Sequence, residues 1–175
     1  MNIRSDRNPK INSSINPKIN SNINPRINSS INPKINSSIN PKINSSINPK
    51  INSSINPKIN SSINPKINSS INPKINNSIN PKINSSINPE INNQFSGMII
   101  FNMDLTPTEF LINVSDKIIQ IFDFALINTR FGVKHPKGGF IIFDLNNNYI
   151  GHFENDSKMG LNEFDLDNNW INIIK

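Results

Sequence analysis

The sequence predicts an all-β domain behind a low-complexity arm, on three observations. Phe101, Phe122, Phe143 and Phe164 recur at every twenty-first position. Each begins a turn signal, Asn102, Asp123, Asp144 or Asp165, followed by a second apolar stretch. Before them, Pro recurs at every eighth position from Pro9 to Pro89, which forbids a long helix because each ring removes a donor and pushes its predecessor out of the helical region.

Composition divides the 175 residues in the same place. Eleven of 13 Pro precede position 90, and all 12 aromatics stand at Phe95 or later. Up to Ser96 there are 12 Lys+Arg against 2 Asp+Glu, a net of +10; from Gly97 onward there are 6 against 10, a net of −4, which together give the chain's +6. The expected organisation is therefore a basic arm over 1–96 and a small acidic β domain over 97–175. The chain has no Cys, which excludes a disulfide framework, a thiolate metal site and a Cys nucleophile. No secretory pattern follows Met1 and no apolar run approaches the roughly 20 residues of a spanning helix, so a cytoplasmic location is the expectation.

The arm repeats Asn-Pro-Lys-Ile-Asn-Ser-Ser-Ile, eleven octads over 8–95. Arg26 replaces Lys in one octad and Glu90 reverses the charge in the last. Ile recurs at every fourth position, so an extended chain at period two would put every Ile on one face. Two Ile per octad is little to bury, and a segment without aromatics rarely offsets the entropy of ordering. The expectation is a disordered or loosely extended arm, with a thin ordered solenoid as the alternative. In extended form, at about 3.1 Å per residue, successive Lys lie roughly 25 Å apart, sparse for a polyanion site.

In the second half each unit reads as a β-hairpin. Phe140-Ile-Ile-Phe143 is a β-branched and aromatic run, Asp144-Leu-Asn-Asn-Asn148 supplies the turn, and Tyr149 to Phe153 returns. Phe110-Leu-Ile112, Phe131-Gly-Val133 and Trp170-Ile-Asn-Ile-Ile174 are the other returning stretches. One hairpin is marginal alone, so four must bury their apolar faces together. A pseudo-fourfold arrangement follows, with an expected shared core of Phe101, Phe122, Phe143 and Phe164 together with Ile100, Ile121 and Ile142.

Four Phe-Asp-type hairpins ending in Phe164-Asp-Leu-Asp-Asn-Asn-Trp-Ile171, behind Ser-Ile-Asn-Pro-Lys-Ile-Asn repeats, resemble the four-fold beta-flower domain family of bacterial proteins. Unit one departs most, with Asn102 in place of Asp and Pro107 in the turn. The resemblance implies a fold and carries no catalytic residue, cofactor or metal.

Candidate sites are few. Asp144-Leu-Asn-Asn-Asn148 and Asp165-Leu-Asp-Asn-Asn169 mimic the start of a calcium loop, but Tyr149 and Trp170 stand where that loop requires Gly, so hairpin turns are expected. His135, before Pro136 in a Lys-rich loop, is expected to be solvated, and His152 falls in a strand. Lys137-Gly-Gly139 lacks P-loop spacing and precedes a strand. Asn12, Asn28 and Asn36 match the glycosylation acceptor pattern as a by-product of the repeat. Tyr149 and Trp170 occupy equivalent positions and are expected to close the core, with an exposed aromatic patch as the alternative.

With no catalytic constellation, the expected function is a non-enzymatic interaction or structural module acting on a protein partner. The alternatives are electrostatic binding of nucleic acid or an anionic surface through the arm, and self-association of the basic arm with the acidic domain of a neighbouring copy.

Overall fold

A computed structural model describes residues 3–175. Eight strands follow one another: β1 (Met98–Asn102), β2 (Pro107–Asn113), β3 (Ile118–Asp123), β4 (Asn128–Lys134), β5 (Phe140–Asp144), β6 (Tyr149–Asn155), β7 (Leu161–Asp165) and β8 (Trp170–Ile174). Each pairs antiparallel with its neighbours, and β8 returns to β1 through Ile100 opposite Ile174, closing an antiparallel barrel. Closure removes the sheet edges that a short open sheet would expose. Among the described residues no helix is long and apolar enough to cross a membrane.

Turn chemistry sets the strand lengths. The side chains of Asn102, Asp123, Asp144 and Asp165 accept the backbone N–H of Thr106, Ile127, Asn148 and Asn169 at 2.8–2.9 Å. The fourth residue of each tip has positive φ: Leu105 at 60°, Leu126 at 60°, Asn147 at 65° and Asn168 at 59°. Asn tolerates that left-handed conformation better than Leu. The register shifts between Ile100 and Phe101, Ile121 and Phe122, Ile142 and Phe143, and Glu163 and Phe164, so each odd-numbered strand carries an irregularity just before its Phe.

The expected single core is corrected to three clusters, one in the lumen and two on the outer face. Ile100, Leu111, Ile119, Ile121, Ile142, Phe153, Leu161 and Ile174 pack together from seven strands, which only the barrel lumen can achieve. Gly132 on β4 keeps that lumen open, since a Cβ there would come within 2.7–2.9 Å of Ile119 and Ile142. Phe101 and Phe122 belong to a cluster with Phe110, Ile79 and Ile87, and Phe143 to a cluster with Phe131, Ile55, Ile63 and Ile71. The Phe series therefore faces outward, opposite to the Ile series, as period-two alternation requires of adjacent residues. It is nevertheless 0–1% exposed, because the arm covers it.

The arm is the second correction. Instead of a loose or extended chain, it is a succession of tight turns packed on the barrel. Apart from Asn44–Ile47, which makes a plain turn, the Asn-Ser-Ser-Ile tetrads form 3₁₀ turns, as at Ser53–Ile55, with the preceding Asn52 side chain accepting from Ser54 N–H. Each Asn-Pro-Lys-Ile tetrad forms a second turn, as where Asn48 C=O accepts from Ile51 and Asn52. Asn amides then tie one octad to the next, Asn52 donating to the Ser46 carbonyl at 2.6 Å. An Asn at every fourth position thus satisfies a backbone that Pro alone would leave unpaired. Because each tetrad reverses the chain, the Ile faces alternate. Ile23, Ile31, Ile47, Ile55, Ile63 and Ile71 are at most 5% exposed, while Ile11, Ile19, Ile27 and their successors to Ile91 are 60–69% exposed. The barrel's outer Phe residues supply the apolar surface that the octads lack.

Two repeat lengths mesh at this interface. Lys58 donates to Asn148 on one hairpin tip, and Lys34, three octads earlier, donates to the equivalent Asn169 on the next tip. Lys66 with Asn146 and Lys42 with Asp167 repeat that offset. Gln120 donates to the Ile71 carbonyl and Asn162 to the Ile23 carbonyl, twice the same offset. Three octads therefore cover one hairpin unit of barrel, running in the opposite sense. The belt closes on itself where the Arg7 guanidinium donates to the carbonyls of Phe95 and Gly97 at 2.7–2.8 Å.

Candidate functional site

Two related clefts lie where the belt passes the hairpin tips. Between the β5–β6 and β7–β8 tips the belt leaves a cleft of about 500 Å³. Pro49, Lys50 and Lys58 form one wall, Asn147 and Tyr149 another, and Leu166 closes the side. Lys58 is held by Asn148 and Lys42 by Asp167, both at 2.9 Å. Burial, then the Glu154 charge, pushes the Tyr149 phenol above its usual range, so it stays neutral. Burial pulls the Asp144 carboxyl up, but hydrogen bonds from Asn148 and Asn146 and the Lys58 charge outweigh it and hold the group below the usual range. A related cleft of about 280 Å³ lies beside Trp170, lined by Pro25, Arg26, Lys34, Asn168 and Asn169.

Tyr149 and Trp170 are both half-buried and line these clefts. Each also joins the outer packing, Tyr149 against Phe143 and Trp170 beside Phe101 and Ile173. They combine the two roles that the sequence set against each other. Asp144 and Asp165 accept N–H groups of their own turns, and among the described residues no group of three or more His, Asp or Glu side chains is placed to hold a metal. The amides of Asn28 and Asn36 are engaged, donating to the carbonyls of Asn22 and Ser30 at 2.6 Å. Gly138, at φ 98°, makes the turn of the Lys137-Gly-Gly139 connection.

His135 is not solvated as expected; it is 2% exposed. Its loop folds back through His135 N–H to the Gly139 carbonyl and Gly138 N–H to the His135 carbonyl, which tucks the ring under β6. There His135 Nε2 stands 3.3 Å from Glu154 Oε1, and neither atom has a hydrogen bond among the described residues. Burial raises the Glu154 carboxyl, and the His135 contact opposes that shift without cancelling it. His152 lies fully buried on the outer face of β6, with both ring nitrogens unpartnered among the described residues.

Two ion-pair groups, one partly and one fully buried, escaped the sequence reading. Inside the barrel Arg130 pairs with Glu109 and Glu163, and Asn172 donates to Glu163 at 2.8 Å. Burial opposes the Arg130 charge, but the two carboxylates outweigh it and raise its pKa. Asp156 pairs with Lys175 at the other end. A signal for the first was available: positions 100, 121, 142 and 163 read Ile, Ile, Ile and Glu.

No protein-family model, curated protein or solved structure matches the chain.

Proposed function

We propose that the chain is a non-enzymatic structural and interaction module, a four-hairpin barrel held in a belt made by its own octad repeat. The four register shifts, the four positive-φ tip residues and the constant offset of three octads per hairpin support four equivalent units, as in the beta-flower family that the sequence resembles. The observation that carries the proposal is the use made of the arm. Its inward Ile cover the barrel's Phe face, and Lys34, Lys42, Lys58 and Lys66 lean on hairpin tips. Its basic charge serves the acidic domain of the same chain, which weakens the nucleic-acid and intercopy alternatives together. Among the described buried polar groups, Glu154 and His152 are at most 2% exposed, and His135, equally buried, borders a cleft beside Ser54 and Ser62 with its Nε2 turned to Glu154. Purified full-length chain should show no hydrolytic or transfer activity that disappears on changing a single residue. An activity that does so would refute the proposal.

A further inference from the structure

The two clefts beside Tyr149 and Trp170 are one site written twice. Phe143, Asn147, Asn148 and Tyr149 map, one hairpin unit on, onto Phe164, Asn168, Asn169 and Trp170, while Pro49, Lys50, Asn56 and Lys58 map, three octads back, onto Pro25, Arg26, Asn32 and Lys34. The first two hairpins place Leu105 and Leu126 where the last two place Asn147 and Asn168. Those Leu side chains pack into the apolar cluster of Phe101, Phe110 and Phe122. At the fourth hairpin the Arg26 guanidinium lies 5.8 Å from the Trp170 ring centroid and occupies part of the space. The Tyr149 cleft is the roomier of the two.

We propose that the Tyr149 cleft binds an acidic sugar, a polyhydroxylated ring bearing one negative charge. Its size falls within the range of roughly 300–1,000 Å³ usual for small-ligand sites. Lys42, Lys50 and Lys58 all line it; Asp167 offsets Lys42 and Asp144 stands near Lys58, which leaves Lys50 as the uncompensated positive charge. Lys42 and Lys58 have partners on the tips, whereas the Lys50 ammonium has none among the described residues, leaving it to meet an anionic group. Tyr149, Pro49 and Leu166 give an apolar surface for the C–H face of a ring. Asn147 is 7% exposed and its side-chain oxygen has no hydrogen-bond partner among the described residues. A buried acceptor of that kind is costly unless it meets a donor, and a sugar hydroxyl supplies one where an ionised carboxylate does not.

Amide-resolved NMR titration of the full chain tests this with glucuronate and galacturonate as probes, glucose for the neutral ring and inorganic phosphate for charge alone. At least one uronate should give saturable shifts at Asn147, Asn148, Tyr149 and Leu166. Glucose should bind about tenfold more weakly, and phosphate should leave these amides unmoved. Lys50→Gln should weaken uronate binding about fivefold, since it removes one charge-assisted contact and no contact of the fold. Asn147→Leu, a residue that the chain already carries at the same tip position in two hairpins, should abolish binding. Absence of saturable shifts with both uronates would overturn the proposal. So would equal binding of glucose, phosphate shifts at the same amides, or unchanged affinity in the Lys50→Gln protein.

Discussion

His152 stacks on Phe164 with ring centroids 5.4 Å apart and planes inclined by 20°. Phe131 stacks on Phe143 at 5.5 Å and 23°, and Phe110 on Phe122 at 5.5 Å and 19°. The imidazole thus occupies the place of a Phe ring, yet neither of its nitrogens has a partner among the described residues. An unpaired buried polar group costs on the order of 1–3 kcal/mol. His152→Phe should therefore stabilise the protein by about 1–2 kcal/mol, read as an increase in the denaturant midpoint.

The same residue should govern acid stability. Burial, reinforced by the neighbouring His135, lowers the His152 pKa from 6.5 to about 3. Between those values the unfolded chain binds a proton that the folded chain excludes. Stability falls as pH drops through that window and levels off below it. Glu154 acts in the opposite sense: burial raises its pKa, so its contribution is present at low pH and lost as pH rises through its folded value. Urea titrations at successive pH values should show a slope between pH 6.5 and 3 that is smaller in the His152→Phe protein.

Alternation in the belt gives a paired prediction. Ile47 is fully buried and Ile55 is 4% exposed, whereas Ile43 and Ile51 are each 66% exposed. Ile47→Ala or Ile55→Ala should cost about 2–4 kcal/mol, by lost transfer energy and the cavity left. Ile43→Ala or Ile51→Ala should change stability by less than about 0.5 kcal/mol. Equal effects at the two sets would mean that the belt does not have one inward face.

Electrostatics should contribute little to holding the belt. Lys42 and Asp167 are 2.9 Å apart, but their side chains are 53% and 79% exposed. Such pairs contribute about 0–1 kcal/mol and are screened by salt. Raising salt to about 1 M, where the Debye length is roughly 3 Å, should leave the belt docked, as judged by unchanged amide shifts of the octads. The 97–175 segment alone, by contrast, exposes the outer Phe face and should aggregate.

The lumen carries the most sensitive charge. Arg130 is flanked at the barrel end by Glu109, partly buried like Arg130 itself, and by Glu163, which is fully buried. Arg130→Met strands two carboxylates and should cost about 3–5 kcal/mol in thermal or urea unfolding. The triple change that also replaces Glu109 and Glu163 by Gln should recover part of that loss.

Much of the barrel was legible because its signals are local. A regularly recurring Phe and Asx turn mark strands and tips, and the structure has strands at each marked stretch. Which face each series takes was not legible from spacing alone. A sheet with both faces buried has apolar residues at consecutive positions, as in Ile99-Ile-Phe101, and these do not say which side holds the lumen. The belt was missed for a different reason. Two Ile per octad cannot order a chain in isolation, and the missing apolar surface lies on another part of the molecule. The regular Asn at every fourth position was the overlooked sign, since each one caps a turn. Of the candidate site, Tyr149 and Trp170 were visible as equivalent positions. Lys50 and Arg26 were not, because their place depends on the offset between two repeat lengths.

Native-state hydrogen exchange of the octad amides tests the closed belt most directly. Asn16, Asn20, Asn24 and their successors other than Asn48 donate backbone N–H groups within the belt at 2.8–3.3 Å, and Arg7 locks its ends at Phe95 and Gly97. A docked belt opens only by local or global unfolding, so these amides should be protected, and Arg7→Ala should lower protection in the first octads while leaving β3 to β6 unchanged. Exchange of the octad amides at the rate of an unstructured chain, alongside a protected barrel, would contradict the account.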